Sequence, residues 1–310
     1  MPLRRKSGSY RVKRRTVRSK RNYSVKTPRY RRTTRRISRR PMTKKRILNT
    51  TSTKKRNGML AFSNTTPAGL SQAPAAGAFF VNGRDGAQVY FIATAQDLNN
   101  NGGNNTVAQV AARTATTCFM RGFSENLRIQ SSSPVPWFHR RICFTYRGPD
   151  PFTRVSSLDS PVNTYVPFIE TSSGIQRSFF NQSINNMPNS RNNMQAVLFK
   201  GEQGVDWNDV IAAPVDTSRV SLKFDKTWTY RSGNQNGMVK SIKLWHPMNH
   251  NLRYDDDESG FNEPSSYIST QSKEGMGDYY IVDYISAGLG ATVSDLLSIN
   301  SNSTLYWHEK

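Results

Sequence analysis

The feature that most constrains this chain is where its charge lies. Residues 1–60 hold 24 of the 44 Lys and Arg and none of the 21 Asp and Glu. The first acid is Asp85, and residues 61–310 carry 20 basic and 21 acidic side chains, a net charge of −1. A block of like charge repels itself and calls for a polyanion to condense it. A near-neutral stretch of this length can bury a core, and all-β domains of such size often form one unit. The chain is therefore expected to divide into a basic arm over 1–57, a linker over 58–84 and a folded body over 85–310.

Apolar residues in the arm are too sparse to offset the entropy of ordering it, so it is expected to be disordered when free. Its composition points to nucleic acid. Arg leads, and the guanidinium fork binds phosphate oxygens bidentately. The candidate nucleic-acid ligands are Arg4, Arg5, Lys6, Arg11, Lys13, Arg14, Arg15, Arg18, Lys20, Arg21, Arg29, Arg31, Arg32, Arg35, Arg36, Arg39 and Arg40. Tyr10, Tyr23 and Tyr30 lie among them, with ring faces on which unpaired bases can stack. Charge alone does not separate DNA from RNA. Lys44-Lys45-Arg46 and Lys54-Lys55-Arg56 form two basic triplets, the pattern a nuclear import receptor reads as a localisation signal.

Other classes are excluded. No apolar run of about 7–15 residues follows the basic start, so no secretory signal is expected. No stretch approaches the roughly 18 apolar residues of a membrane span. Cys118 and Cys143 are too few for a disulfide framework and sit in strand-like runs, so they read as small buried hydrophobes in a reducing compartment.

Period-two alternation dominates the body. Over 220–230, Val220, Leu222, Phe224, Trp228 and Tyr230 fall on one face, and Ser221, Lys223, Asp225, Thr227 and Thr229 on the other. Turn residues at 233–237 precede a resumed alternation at Ile242 and Leu244, which suggests a hairpin. Ile142, Phe144 and Tyr146 alternate likewise, and 87–94, 194–200, 278–286 and 303–308 are β-branched and aromatic. The Ala-containing run 107–121 reads as strand or helix, and Asp206 opens a possible short helix over 206–211. The segment 148–193 holds few strand signals. With no βαβ alternation, the class is all-β, an antiparallel sandwich or jelly roll with long loops.

The search for chemistry finds no enzyme and no cofactor site. Phosphate-loop, dinucleotide, nucleophile-elbow and zincin motifs are absent. His246 and His250 are four apart, but no Cys or nearby Glu completes a metal set. Asp255, Asp257, Ser259 and Gly260 match the first half of a calcium loop, but Ser266 stands where a bidentate Glu is needed. That leaves Asp255 and Asp257 as weak metal candidates in an acidic surface loop, which a neighbouring Arg would equally neutralise. Arg113, Arg121, Arg140 and Arg141 lie in strand-like runs as possible further nucleic-acid contacts, with outer-face or interface roles as the alternative.

The stretch 244–258, LWHPMNHNLRYDDDE, the stretch 275–284, GMGDYYIVDY, the Arg-rich arm and the run STLYWHE at 303–309 together resemble the capsid protein of genomoviruses. Those are small circular single-stranded DNA viruses, akin to geminiviruses. The resemblance implies a single eight-stranded antiparallel jelly roll and self-assembly into an icosahedral shell around circular single-stranded DNA. It also implies residence in the virion and the host nucleus, with an import receptor as partner and no membrane. The smallest (T=1) shell has 60 copies. Their arms would bring about 1,440 positive charges, enough to neutralise most of a strand of order one to two thousand nucleotides. A cellular nucleic-acid-binding protein of ribosomal or chromatin type, with a basic tail, is the alternative reading.

Overall fold

The computed structural model describes residues 42–100, 103–260 and 263–310, and its folded unit spans Lys44–Lys310. Alternation builds the first layer. In the strand Leu296–Glu309, Leu297, Ile299, Ser303, Leu305, Trp307 and Glu309 are buried, and the residues between them are half-buried or exposed. The same parity runs through Thr53–Thr65, where Lys55, Asn57, Met59 and Ala61 are buried between exposed Lys54, Arg56 and Leu60.

In chain order the elements are α1 (Lys44–Thr51), β1 (Thr53–Thr65), β2 (Ser71–Ala76), β3 (Phe79–Asn82), β4 (Ala87–Ile92), β5 (Asn99–Asn100), β6 (Gly103–Asn104) and β7 (Thr117–Ser131). They continue with β8 (Trp137–Tyr146), β9 (Ile169–Thr171), β10 (Gly174–Phe179), α2 (Pro188–Leu198), β11 (Ser221–Tyr230), β12 (Val239–Arg253), β13 (Asp278–Ala287) and β14 (Leu296–Glu309). The chain is thus predominantly β, as expected.

Two main sheets form. The larger runs β12-β7-β14-β1-β10-β9, with β2 and β3 attached to β1 and β14. It is mixed, because β1 pairs with β10 in parallel; its other pairings are antiparallel. The smaller runs β11-β8-β13-β4, all antiparallel. The sheets pack face to face. Phe91, Cys143, Tyr279 and Ile281 of the smaller meet Met120, Phe123, Leu252, Leu305 and Trp307 of the larger. A second shared cluster holds Val89, Trp137 and Ile285 against Leu127, Ile129 and Ile299.

Strand β13 is buried on both faces, which is why its sequence shows no alternation. Tyr280, Val282 and Tyr284 point away from the other sheet, into a layer supplied by the excursion 148–220. Phe152, Tyr165, Phe180, Met194, Leu198, Phe199 and Trp207 of that excursion cover them. Each such side chain contributes roughly 1.5–3 kcal/mol on leaving water.

Several expectations are corrected. The segment 58–84 is not a linker: it carries most of β1 and all of β2 and β3. The charge run concealed the strand, because Lys54, Lys55 and Arg56 near its start read as the end of the basic arm. The run 194–200 is not a strand but the end of α2 and the residues after it. Pro188 starts that helix, and the Asp159 carboxylate accepts the Asn189 and Ser190 amides at 3.0 and 2.7 Å, capping it from 30 residues away. No helix forms at 206–211; Asp206 instead accepts the Glu202 amide at 2.8 Å within a turn. In 107–121 only the end is regular, as the start of β7. The hairpin expected at 220–244 does not form either, since β11 and β12 lie in different sheets.

Candidate nucleic-acid interface

The arm candidates from Arg4 to Arg40 lie outside the described residues. Lys44, Lys45 and Arg46 open α1, and the second triplet lies in β1. Strand parity divides that triplet. Lys54 and Arg56 face outward, whereas Lys55 is buried with its Nζ 3.1 Å from the Glu309 carboxylate. Lys55 also donates to the Ala112 carbonyl at 2.8 Å and to Thr114 Oγ1 at 3.0 Å. Lys55 is therefore part of the fold's closure, and the three residues are not displayed as one basic run.

The body arginines divide the same way. Arg113 is buried and bidentate to Asp256, at 2.5 and 2.9 Å. Arg140 is bidentate to Asp225, at 2.9 and 2.7 Å, and donates to the carbonyls of Val210 and Ala213. Arg141 lies between the two sheets. These three are structural, not nucleic-acid contacts, because each is committed to an acid of its own chain. Arg121 alone of the four is exposed, donating to Asn249 Oδ1 at 2.6 Å.

Arg141 belongs to a charge network that divides the sandwich core. It donates to both Asp283 oxygens at 2.7 and 2.9 Å and to Glu125. Arg177 donates to Glu125 at 2.8 Å and to Asp283 at 2.9 Å, and its guanidinium lies 4.1 Å from the Phe179 ring centre. Two Arg and two carboxylates cancel. His139 completes the group, 2.8 Å from both Asp283 and the Tyr230 hydroxyl. Its Nε2 bonds Asp283 and its Nδ1 bonds the Tyr230 hydroxyl, so both ring nitrogens are partnered. Burial pushes the Glu125 carboxyl up, but Arg141 and Arg177 outweigh it and hold it down at about 2. Its share of stability is thus present above the ordinary carboxylate range and is lost only as pH falls through about 2.

With those charges accounted for, the outward face of the strands β1, β14, β7 and β12 stands out. Its basic members are Lys54 and Arg56 on β1, His308 on β14, Arg121 and Arg128 on β7 and Lys243 on β12. The carboxylates of these strands, Glu125 and Glu309, are buried on the opposite face. Among the described residues, the outward side chains of these strands therefore include no carboxylate, and at the end of β12 the exposed Arg253 is paired with Glu274 of the following loop at 2.5 Å. Exposed Trp245 and half-buried Tyr306 and Phe119 share the outward face, and sequence reading missed all three. The signal was present, in that 303–308 alternates and places Thr304, Tyr306 and His308 together.

Other candidates fall away. Asp255 and Asp257 are exposed, and Asp256 between them is the residue bound by Arg113. Among the described residues no group of three or more His, Cys, Asp or Glu is placed to hold a metal ion. Cys118 and Cys143 are free, buried thiols, pushed well up by burial. His246 is buried beside Cys143 and lowered to about 4, by burial first and then by Arg141. An open cleft of about 790 Å³ lies between the ends of β11 and β12, lined by Arg147, Arg219, Lys223 and His250. No described helix is long and apolar enough to cross a membrane.

Asp278, at the start of β13, gives a pH test of the fold. Its carboxylate accepts the Ser269 amide at 3.0 Å and the Ser269 hydroxyl at 2.9 Å, which ties down the loop after β12. Burial raises it from 3.8 to about 7, the Ser269 bonds oppose that, and Asp255 adds to it. The folded state therefore binds more protons than the unfolded state between about 4 and 7, and stability falls as pH rises through that window. Asp278→Asn is expected to remove this slope. Urea unfolding at pH 5 and pH 8 should show the variant gaining on the wild type by on the order of 2–4 kcal/mol. An unchanged difference at the two pH values would refute the assignment.

Searched against known proteins, the chain matches no protein-family model and no curated protein.

Proposed function

We propose that this chain is the capsid protein of a small single-stranded DNA virus, and that its body is a jelly roll. Two four-strand sets support the fold reading, β1-β14-β7-β12 facing β4-β13-β8-β11. In chain order the long strands switch set at every step except from β8 to β11, the double-sheet pattern jelly rolls use, and viral shells are among their hosts. Against a strictly eight-stranded description, β2, β3, β9 and β10 extend the larger sheet.

The observation that carries the functional reading is continuity of charge along the chain. A segment of 60 residues with 24 Lys and Arg takes in α1 and the start of β1, and the described outward side chains of β1, β14, β7 and β12 include no carboxylate. Arms condense the genome, bodies meet edge to edge, and each bound arm raises the local concentration of bodies, so assembly is cooperative. In this reading the protein works in the virion and, before assembly, in the host nucleus.

The same basic sheet face also suits a cellular nucleic-acid-binding protein, because it gives the body a basic surface. Electron microscopy of the purified chain, followed by nuclease treatment and typing of the contents, separates the two. Uniform closed particles holding protected single-stranded DNA are expected. Small species that bind nucleic acid without closing would sink the capsid reading.

A further inference from the structure

On the outward face of the larger sheet, Gly122 of β7 lies in register between Tyr306 of β14 and Pro247 of β12. A side chain at 122 would come within 2.7 Å of the Trp245 indole and 2.6 Å of the His246 carbonyl. Glycine there leaves the indole room to lie on the sheet. The Trp245 and Tyr306 rings sit 5.8 Å apart at 56°. Trp245 remains 50% exposed, while Trp137, Trp207 and Trp307 are buried. The two rings form a joined aromatic patch rather than a lone exposed residue, and an exposed apolar patch rimmed by polar side chains marks an interaction site.

The surroundings indicate what covers it. Arg56 is the β1 neighbour of Tyr306, and Lys54 is the β1 neighbour of His308, whose ring is 6.1 Å from that of Phe119. Arg121 adjoins Gly122, and Lys243 is two residues from Trp245. The His308 ring is held below its ordinary range, by burial first and then by Arg121 and Lys54. Around the pair, the outward side chains of the strands include Lys54, Arg56, Arg121 and Lys243 and no carboxylate. An aromatic pair ringed by cations matches a ligand with negative charge and flat apolar faces.

We infer that this face binds single-stranded nucleic acid, with bases stacked on Trp245 and Tyr306 and flanking phosphates held by Arg56, Arg121 and Lys243. A duplex fits poorly, because its bases already stack on each other and offer no free faces. The inference rests on the nucleic-acid reading above and adds a second site, on the body, of a different kind from the arm. The arm's contacts are mainly its many Arg and Lys to phosphate, in any register, whereas this face centres on a fixed aromatic pair that holds bases. In a shell it places the larger sheet on the genome side.

The test uses the full chain, short oligo-dT and a duplex of equal length, at salt high enough to weaken phosphate contacts. Oligo-dT is expected to quench tryptophan emission, and Trp245→Phe to lose most of that quenching while still binding. Joint Trp245→Ala and Tyr306→Ala substitution should weaken oligo-dT binding roughly tenfold or more, a loss that persists at high salt because stacking is not ionic. Ultraviolet cross-linking should place the oligonucleotide on peptides containing residues 245 or 306. Equal quenching by the duplex, unchanged quenching in Trp245→Phe, or unchanged affinity in the double variant would each overturn the inference. If such a protein still forms particles filled with DNA, this site alone is wrong. Particles empty of nucleic acid would instead remove the reading beneath it.

Discussion

Replacing Glu125 with leucine is expected to destabilise the body by about 3–5 kcal/mol, the usual result of removing one partner from a buried ion pair. Glu125 accepts from Arg177 and Arg141 in the centre of the sandwich, and Ser301 and Ser303 also donate to it, at 3.0 and 3.2 Å. Without it, two guanidinium groups share Asp283 alone, and one positive charge stays buried without compensation. For a folded unit of this size the melting temperature should fall by roughly 10 °C. Replacing Glu125, Arg141, Arg177 and Asp283 together with apolar residues should cost less than the single change, because no unpaired charge remains. Urea unfolding of the four-fold and single variants measures the difference. A Glu125→Leu protein within about 1 kcal/mol of the parent would show that the network is not needed to hold the sheets together.

Removing residues 1–41 is expected to abolish packaging while leaving the body folded. The deletion takes out 18 of the 24 basic residues of the arm and stops before α1. The cut has to fall there. Truncation at residue 57 would also remove Lys55 and break its pairing with Glu309, mixing loss of binding with loss of stability. Binding to single-stranded DNA scales as about 0.7 of a log unit per log unit of salt for each phosphate neutralised, so the deletion should flatten the salt slope by up to about 12. Titrations at several salt concentrations give the slope, and nuclease protection gives the packaging. Particles normally filled with DNA would be incompatible with the arm as the packaging device.

Much of this fold was legible where one face meets water. Val220 to Tyr230 alternated in sequence and became β11, an edge strand of its sheet, with only Lys226 out of step. Legibility failed where alternation was hidden. In β1 the opening run includes Lys54, Lys55 and Arg56, so a strand passed for the end of a charged tail. In α2 the buried pair Met194 and Leu198 is at helical spacing, but a seven-residue window cannot tell that from a short strand. The arginines misled for another reason. Sequence shows that Arg141 is charged, not that Glu125 and Asp283 arrive beside it from strands distant in the chain. The exposed aromatic pair was hidden likewise, since Trp245 and Tyr306 meet only through the register of β12 and β14 on β7.

The pairing of β1 with β14 has a consequence for synthesis. Among the described strands β14 comes last in chain order, yet it lies between β1 and β7, two of the earlier long strands. Until it arrives, those strands have no partner on their facing edges, and the Glu309 that neutralises Lys55 is missing. Sheet closure joins residues more than 250 positions apart, a slow, non-local step. The sheet can therefore close only once the whole stretch from β1 to β14 has been made.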